Sequence, residues 1–269
     1  MKITVLVDNQ VGLVDAEYGY SLYVQAYDKS FIVDFGSSDL FIKNANSLNL
    51  DLNTDFAVIS HNHNDHNGGA FAYKKLFSDK TIYIGSDEHK TYGGKHFPHY
   101  ALGIDKSFFK SYSESLVKVD KILSITDKII ILNIDYNKAE KMGVHYIQKG
   151  GLLFNDTYKH EICVCVLEEE CLYIISPCSH KGVVNIIEQC YARFNDAKNI
   201  IFIGGIHTKG SAKTPLNTTD EKVERIAERL KQFPIRAMYL GHCTGNRAIE
   251  IFKEKGLPVI PTYAGDSFN

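Results

Sequence analysis

The chain has 269 residues, of which 44% are hydrophobic and 23% are charged, and its formal net charge is −2. This length and composition are ordinary for a globular protein that buries a full core, so no disulfide framework is needed. The chain has no long basic run, which argues against nucleic acid as a partner. Residues 1–8 lack the apolar region of an export signal, and no run approaches the roughly 20 apolar residues of a membrane span. The default expectation is therefore a cytoplasmic protein with no membrane partner.

The six cysteines do not predict disulfides. Several lie in apolar, strand-like runs such as residues 162–166, where cysteine packs as a small hydrophobe. Without an export signal, free thiols are the expectation. The six are Cys163, Cys165, Cys171, Cys178, Cys190 and Cys243.

The first 85 residues predict strands interrupted by helices. The run 56–60 is nearly all apolar, so we expect a strand that is buried on both faces. Short β-branched or aromatic runs predict strands at residues 3–7, 21–26, 31–35, 56–60 and 81–84, and helices are predicted at 40–50 and from Gly68-Gly69 to about residue 77.

Residues 86–118 predict a loop with short helices, a candidate lid over a site, because Gly93-Gly94 and Pro98 break any pattern. His89, His96 and His99 gather in this segment. Further strands are predicted at 129–132, 162–167, 172–175, 200–203 and 237–240, and further helices at 182–194, 220–233 and 246–255. Because both halves mix strands and helices without a linker or repeat, the sequence predicts one α/β domain over residues 1–269, with two packed sheets flanked by helices.

Three imidazoles and one carboxylate lie within six residues after the apolar run 56–60. They are His61, His63, Asp65 and His66. In a tight loop after a strand, alternate side chains can converge on one point while the next ones turn toward a neighbouring point. Imidazole and carboxylate ligands suit zinc, iron and manganese. The loop thus predicts two metals, the first bound by His61 and His63 and the second by Asp65 and His66. A polar surface loop is the alternative, but such density beside a buried strand would be costly without ligands to organise.

The pattern His-x-His-x-Asp-His, followed by Gly68-Gly69, resembles the signature of the metallo-β-lactamase fold superfamily. The resemblance implies a four-layer αββα sandwich with metals where the two sheets meet. It also implies two divalent transition metals, with zinc favoured and iron or manganese as alternatives. Three later ligands are implied as well: a His, an Asp or Cys between the metals, and a final His.

The later ligands are assigned by this resemblance. His242, in Gly241-His242-Cys243, is the candidate for the second metal, and a core or capping histidine is the alternative. Cys178 follows a buried strand and occupies the bridging position, with His180 as its rival. His160, eighteen residues before Cys178, is the candidate third ligand of the first metal, and His180 is the replacement if it fails.

Motifs over nearly the whole chain resemble the dihydropterin-ribofuranosyl-aminobenzene-phosphate-synthase-like branch of this superfamily. Two departures, Ser176-Pro177 in place of Thr-Gly and Asp34-Phe35-Gly36 in place of Asp-Thr-Gly, affect loop geometry rather than ligands. The branch is mixed and does not fix the substrate. The motifs are Asp156-x-x-x-His160-Glu161, Cys178-Ser179-His180-x-Gly182-x-x-Asn185-Ile186, Gly204-Gly205-x-His207 and Gly241-His242-Cys243-Thr244-Gly245, with Val7-Asp8-Asn9 and Ser21-Leu22-Tyr23-Val24 near the N-terminus.

A dinuclear site with a bridging hydroxide predicts a hydrolase acting on a small ester, lactone or phosphoester. Asp65 is expected to orient the attacking water. His207 and His180 are candidate catalytic residues on the substrate side, although His207 also fits a surface histidine. Asp34 fits either a turn or a partner of a ligand histidine.

Three other functions stay open. The first is a pterin-type synthase or transferase on the same metal site. The second is a non-catalytic metal-binding or sensory module. The third is diiron redox chemistry, which is disfavoured because diiron redox proteins of this fold place Glu at the position of His63 and carry a flavin domain. The partner is expected to be a small molecule, and Ser179 and Lys181 at a helix start would favour an anionic one.

Overall fold

Strands dominate the computed structural model, which describes residues 1–85, 90–93, 100–211 and 213–269. The strands are β1 (Lys2–Val7), β2 (Ser21–Ala26), β3 (Lys29–Val33), β4 (Phe56–Val58), β5 (Ile82–Gly85), β6 (Lys90–Gly93), β7 (Tyr100–Ala101), β8 (Leu116–Val119), β9 (Ile122–Ser124), β10 (Ile129–Leu132), β11 (His145–Lys149), β12 (Leu152–Asn155), β13 (Cys163–Glu168), β14 (Cys171–Ser176), β15 (Asn199–Gly204), β16 (Ile235–Leu240), β17 (Val259–Pro261) and β18 (Ser267–Phe268). The helices are α1 (Leu40–Ser47), α2 (Asn64–Asn67), α3 (Ala70–Leu76), α4 (Lys106–Ser111), α5 (Val183–Arg193), α6 (Asp220–Leu230) and α7 (Asn246–Glu254), and Ser113–Ser115 forms a 3₁₀ turn.

The chain divides into two compact units. The first comprises Met1–Asp120, Val144–Ile162 and Tyr263–Asn269, and the second comprises Lys121–Gly143 and Cys163–Thr262. That residues 1–269 fold as a single domain stays a prediction.

The first unit contains two sheets. Its larger sheet has the strand order β18-β1-β2-β3-β4-β5-β8, and its smaller sheet has the order β12-β11-β6-β7. Strand β4 pairs in parallel with β3 and β5, and all three of its residues are buried, as its apolar sequence predicts. Phe35, Phe41 and Tyr73 pack into one core cluster with β4, which places the segment after β4 on a rigid support.

The second unit is built on one sheet of order β17-β16-β15-β14-β13-β10-β9. Strands β14, β15 and β16 are parallel, and Ser176, Gly204 and Leu240 lie in register at their carboxyl ends. Loops that leave parallel strands meet at one edge of a sheet. The segments after these three strands, which hold the Cys178, His207 and His242 motifs, therefore begin side by side.

The segment 86–118 contains a short helix, α4, as predicted, but it also contains strands that were not predicted. Residues 90–93 and 116–119 are strands rather than loop, because β6 pairs with β11 and β8 pairs with β5, partners that no local pattern reveals. His89, His96 and His99 lie outside the described residues, and so does part of the candidate lid. The helix predicted to residue 50 ends at Ser47, because Asn49 adopts a positive φ of 55°. In the described ranges no helix is long and apolar enough to cross a membrane.

Candidate metal centre

The histidine loop, residues 60–66, is organised by Asp34. The Asp34 carboxylate accepts hydrogen bonds from the Ser60 backbone N–H at 2.7 Å and the Ser60 hydroxyl at 2.6 Å. It also contacts His66 Nδ1 at 2.6 Å. Asp34 is fully buried and has a positive φ of 62°, a costly conformation that its three contacts stabilise. Asp34 is thus a partner of a candidate ligand histidine and not only a turn residue.

These contacts fix the tautomer of His66. A carboxylate can only accept hydrogen bonds, so His66 Nδ1 carries the proton and Nε2 carries the lone pair. His66 Nε2 lies 3.7 Å from Asp65 Oδ2. The pair therefore presents one nitrogen and one oxygen donor to a common point.

His61 is fixed through Ser60 in the same way. The single Ser60 hydroxyl proton is donated to Asp34, so His61 Nδ1, which lies 2.9 Å from Ser60 Oγ, is the donor in that contact. His61 Nε2 then carries the lone pair, and it lies 3.1 Å from His63 Nδ1. A tetrahedral zinc with Zn–N bonds of 2.0–2.1 Å would place two ring nitrogens about 3.3 Å apart. The facing nitrogens of His61 and His63 fit that spacing.

His63 is buried among other histidines. Burial, followed by the nearby His145 and His160, holds the pKa of His63 well below its usual value, and Asp65 opposes this only in part. The neutral imidazole is the form that binds a metal. The environment of His63 therefore favours its ligand form.

His160 lies next to the histidine loop, with its ring centroid 6.1 Å from that of His61 and 5.8 Å from that of His63. Its Nδ1 accepts the Asn62 backbone N–H at 3.0 Å, and its Nε2 lies 3.0 Å from Asp156 Oδ2. Burial raises the pKa of Asp156, but the charge and hydrogen bond of His160, the Tyr158 backbone N–H and the nearby His145 together outweigh burial and lower it. Metal binding by His160 would require one of its two contacts to open, and its assignment as a ligand stays a prediction.

Sequence reasoning did not find His145. Its ring packs edge-on against His63 at 4.8 Å, and its Nδ1 lies 3.0 Å from the Tyr158 hydroxyl. His145 begins β11 and belongs to no motif, so neither spacing nor periodicity signals its position. Only the tertiary fold brings it to the loop.

In the second unit, three donors meet after the parallel strands. Cys178 Sγ lies 3.2 Å from His207 Nδ1 and 3.2 Å from Cys243 Sγ, and the His207 backbone N–H is 3.3 Å from Cys243 Sγ. Sequence reasoning assigned no role to Cys243, although its motif was evident. A Cβ at Gly205 would lie 2.4 Å from Cys243 Sγ, so this glycine is what allows the thiol to fit.

The backbone around these donors is strained. Ser179, His207 and His242 have positive φ values of 55°, 48° and 47°. Left-handed conformations of non-glycine residues cluster at functional sites, where the surrounding structure holds them. The His180 ring packs against that of His207 at 4.1 Å, and His242 is buried. The rivalry between Cys178 and His180 for the bridging position stays open.

Cys243 is held in a thiolate-favouring environment. Burial raises the pKa of its thiol, but the contacts of Cys178 and His207 and the nearby His242 outweigh burial and hold it well below the usual value. A thiolate is the form that binds metals.

Comparison with known proteins supports the motif assignment. Residues 14–135 match the family model described as "Metallo-beta-lactamase superfamily". Two curated relatives are from Methanocaldococcus jannaschii. One, 25% identical over 217 residues (75% of this chain and 70% of the relative), is a 7,8-dihydropterin-6-methyl-4-(beta-D-ribofuranosyl)-aminobenzene-5'-phosphate synthase. The other is uncharacterized and is 25% identical over 92% of each chain.

One similar solved structure is described as a metal-dependent hydrolase of the beta-lactamase superfamily. Its TM-score is 0.84 and its sequence identity 27%, over 100% of this chain and 98% of the other. The mixed α/β architecture, the histidine loop after β4 and these comparisons all indicate the same fold. The chain has the metallo-β-lactamase fold, and its residues 14–135 match the metallo-β-lactamase superfamily.

Proposed function

We propose that this chain is a metal-dependent hydrolase whose metal is bound by the histidine loop. The observation that carries the proposal is the pair of facing ring nitrogens, His61 Nε2 and His63 Nδ1, 3.1 Å apart. Their rings are buried, and the contacts from Asp34 and Ser60 leave the lone pair of His61 directed toward His63. The similar structure described as a metal-dependent hydrolase supports the same function.

The donor set fits divalent transition metals. Imidazole and carboxylate donors suit zinc, with iron and manganese as alternatives. We propose two ions, the first bound by His61 and His63 and the second by Asp65 and His66. The sequence-based assignments of His160, Cys178, His180 and His242 as further ligands remain part of this proposal.

A bound divalent metal supplies Lewis acidity and lowers the pKa of a water molecule toward neutrality. The residues of this chain hold the donors and orient the water. Asp34 keeps His66 in the tautomer with its lone pair on Nε2. Asp65, whose side chain is 19% exposed, is the carboxylate that accepts a hydrogen bond from the attacking water and orients it. The proposed substrate is a small ester, lactone or phosphoester.

The test combines elemental analysis with a panel of small esters, lactones and phosphodiesters. Protein purified without chelator is compared with the Asp65→Asn variant. Asp28→Asn is the matched control, because Asp28 lies in an exposed turn and its side chain is 80% exposed. The proposal requires activity on at least one substrate, lost in Asp65→Asn and kept in Asp28→Asn. Equal activity in all three proteins would contradict it.

A synthase is the second candidate, favoured by the similarity to the Methanocaldococcus jannaschii synthase that is 25% identical over 217 residues. Mass spectrometry for formation of that synthase's aminobenzene phosphate product separates the two functions. Product formation without hydrolysis of the panel would replace the hydrolase by a synthase. Metal retention with neither activity would indicate a metal-binding or sensory module.

A further inference from the structure

Three cysteines that take no part in the proposed hydrolase site meet inside the second unit. Cys163 and Cys165 are two residues apart on β13, so their side chains share one face of the strand. Helix α5 packs on that face and contributes Cys190 to the same core cluster. We call Cys163, Cys165 and Cys190 the thiol trio.

The spacing of the thiol trio suits a metal. Cys163 Sγ and Cys190 Sγ are 3.6 Å apart, and all three sulfurs lie within 4.8 Å of one another. All six cysteines lie in the described ranges, and none forms a disulfide there. Metal–sulfur bonds of about 2.3 Å place thiolate sulfurs about 3.8 Å apart in tetrahedral geometry and about 4.0 Å apart in trigonal geometry. The Cys163–Cys190 distance is thus within a few tenths of an ångström of this spacing, and the Cys165 sulfur would need to approach the other two by at most about 1 Å.

The trio lies in the apolar core cluster of the second unit. The three cysteines are 2%, 0% and 0% exposed. The contacts of Cys165 and Cys190, which outweigh burial, hold the pKa of Cys163 well below its usual value, with a smaller contribution from the positive charge of Lys181. One negative charge on the trio is thus stabilised where an uncharged core would reject it.

We infer that Cys163, Cys165 and Cys190 form a binding site for one soft monovalent cation of the Cu(I) type. Three sulfur donors without an imidazole or carboxylate suit a soft ion such as Cu(I), and they lack the fourth ligand that structural zinc sites almost always have. Binding forms three metal–sulfur bonds, releases the remaining thiol protons to solvent and leaves the oxidation state of the metal unchanged. Because the trio is buried, the ion enters through local opening of α5.

This inference shares no residue with the proposed hydrolase, so the two can fail separately. The test uses full-length protein carrying Cys178→Ala and Cys243→Ala, which removes the other thiol cluster. Cu(I) is titrated anaerobically against the chromogenic chelator bicinchoninate. The background protein is expected to retain about one Cu(I) per chain. Adding Cys163→Ala or Cys190→Ala should abolish retention, whereas adding Cys171→Ala, a lone and partly exposed thiol on β14, should not.

No Cu(I) retained by the background protein, or equal retention in the Cys163→Ala variant, would overturn the site and leave three packing residues. Because a core substitution can unfold the chain, a second readout needs no trio variant. X-ray absorption at the copper edge of the background protein is expected to give sulfur donors alone, at about 2.3 Å. Nitrogen or oxygen in the first shell would contradict the assignment.

Discussion

The histidine loop of the first unit and the donor loops of the second unit both bring candidate metal ligands together, but different interactions hold them. In the histidine loop, donors adjacent in sequence are held by one carboxylate, Asp34, which contacts Ser60 and His66. In the second unit, Cys178, His207 and Cys243 come from three loops that parallel strands bring together. One arrangement is local and rests on hydrogen bonds, and the other is non-local and rests on strand register.

Because different interactions hold the two regions, they should be sensitive to different substitutions. The histidine loop follows β4, and its geometry depends on a few short hydrogen bonds to a buried acid. The second unit relies on tight backbone packing, such as the contact that excludes a Cβ at Gly205, and on left-handed residues such as His207. We therefore expect the first region to respond most to loss of a polar group, and the second to added volume.

The largest effect is expected from His61→Ala. Removing this imidazole deletes one of the two facing nitrogens, so activity should fall by more than about 100-fold, beyond what loss of an outer partner costs. Steady-state kinetics on the substrate identified in the panel measures this. Activity within a few-fold of wild type would place the chemistry elsewhere.

Asp34→Asn should weaken metal affinity by about 10- to 100-fold. An amide presents one oxygen and one NH₂ group, so it cannot accept the Ser60 backbone N–H at one atom and the Ser60 hydroxyl and His66 Nδ1 at the other, as the carboxylate does. Competition with a colorimetric zinc chelator measures the change, and Asp28→Asn is the control. An unchanged affinity would show that the acid does not organise the loop.

Gly205→Ala should destabilise the second unit by about 1–3 kcal/mol, because its Cβ would overlap Cys243 Sγ. Urea unfolding of the metal-free protein gives the free energy of unfolding. Glu250→Ala on the exposed side of α7 serves as the control, expected within about 0.5 kcal/mol of wild type. An equally stable Gly205→Ala protein would mean that the thiol can move aside.

The smallest effect is a pH dependence of the metal-free protein. Burial lowers the pKa of His63 in the folded state, so below about pH 6.5 the unfolded chain binds more protons than the folded one. The free energy of unfolding should therefore fall as pH drops below about 6.5, by at most about 1.4 kcal/mol per pH unit for this one group. His63→Asn should flatten that slope. The same slope in the variant would assign it to other groups.

Local patterns were enough to predict most elements. Alternating and apolar runs identified β2 at residues 21–26 and placed β4 at Phe56, and charge periodicity identified α6 from Asp220. Helix ends were less accurate, since the stop of α1 depends on the left-handed Asn49. Strands β6 and β8 were missed because pairing with β11 and β5 defines them.

Some residues of the candidate site could likewise be predicted from the sequence, and others could not. The histidine loop is contiguous, so sequence spacing alone grouped its donors. His145 and Cys243 reach their partners only through the fold, and no spacing rule joins residues so far apart in the chain. The contacts that occupy both ring nitrogens of His160 were also beyond the sequence, because they depend on the backbone of Asn62 and on Asp156.

Every proposed role of the first unit depends on metal binding by the histidine loop. The most direct test of that binding is elemental analysis by inductively coupled plasma mass spectrometry of protein purified without chelator, beside the His61→Ala variant. We expect about two transition-metal ions per wild-type chain and a clear loss in the variant. A wild-type protein without metal, or a variant with the same metal content, would contradict it.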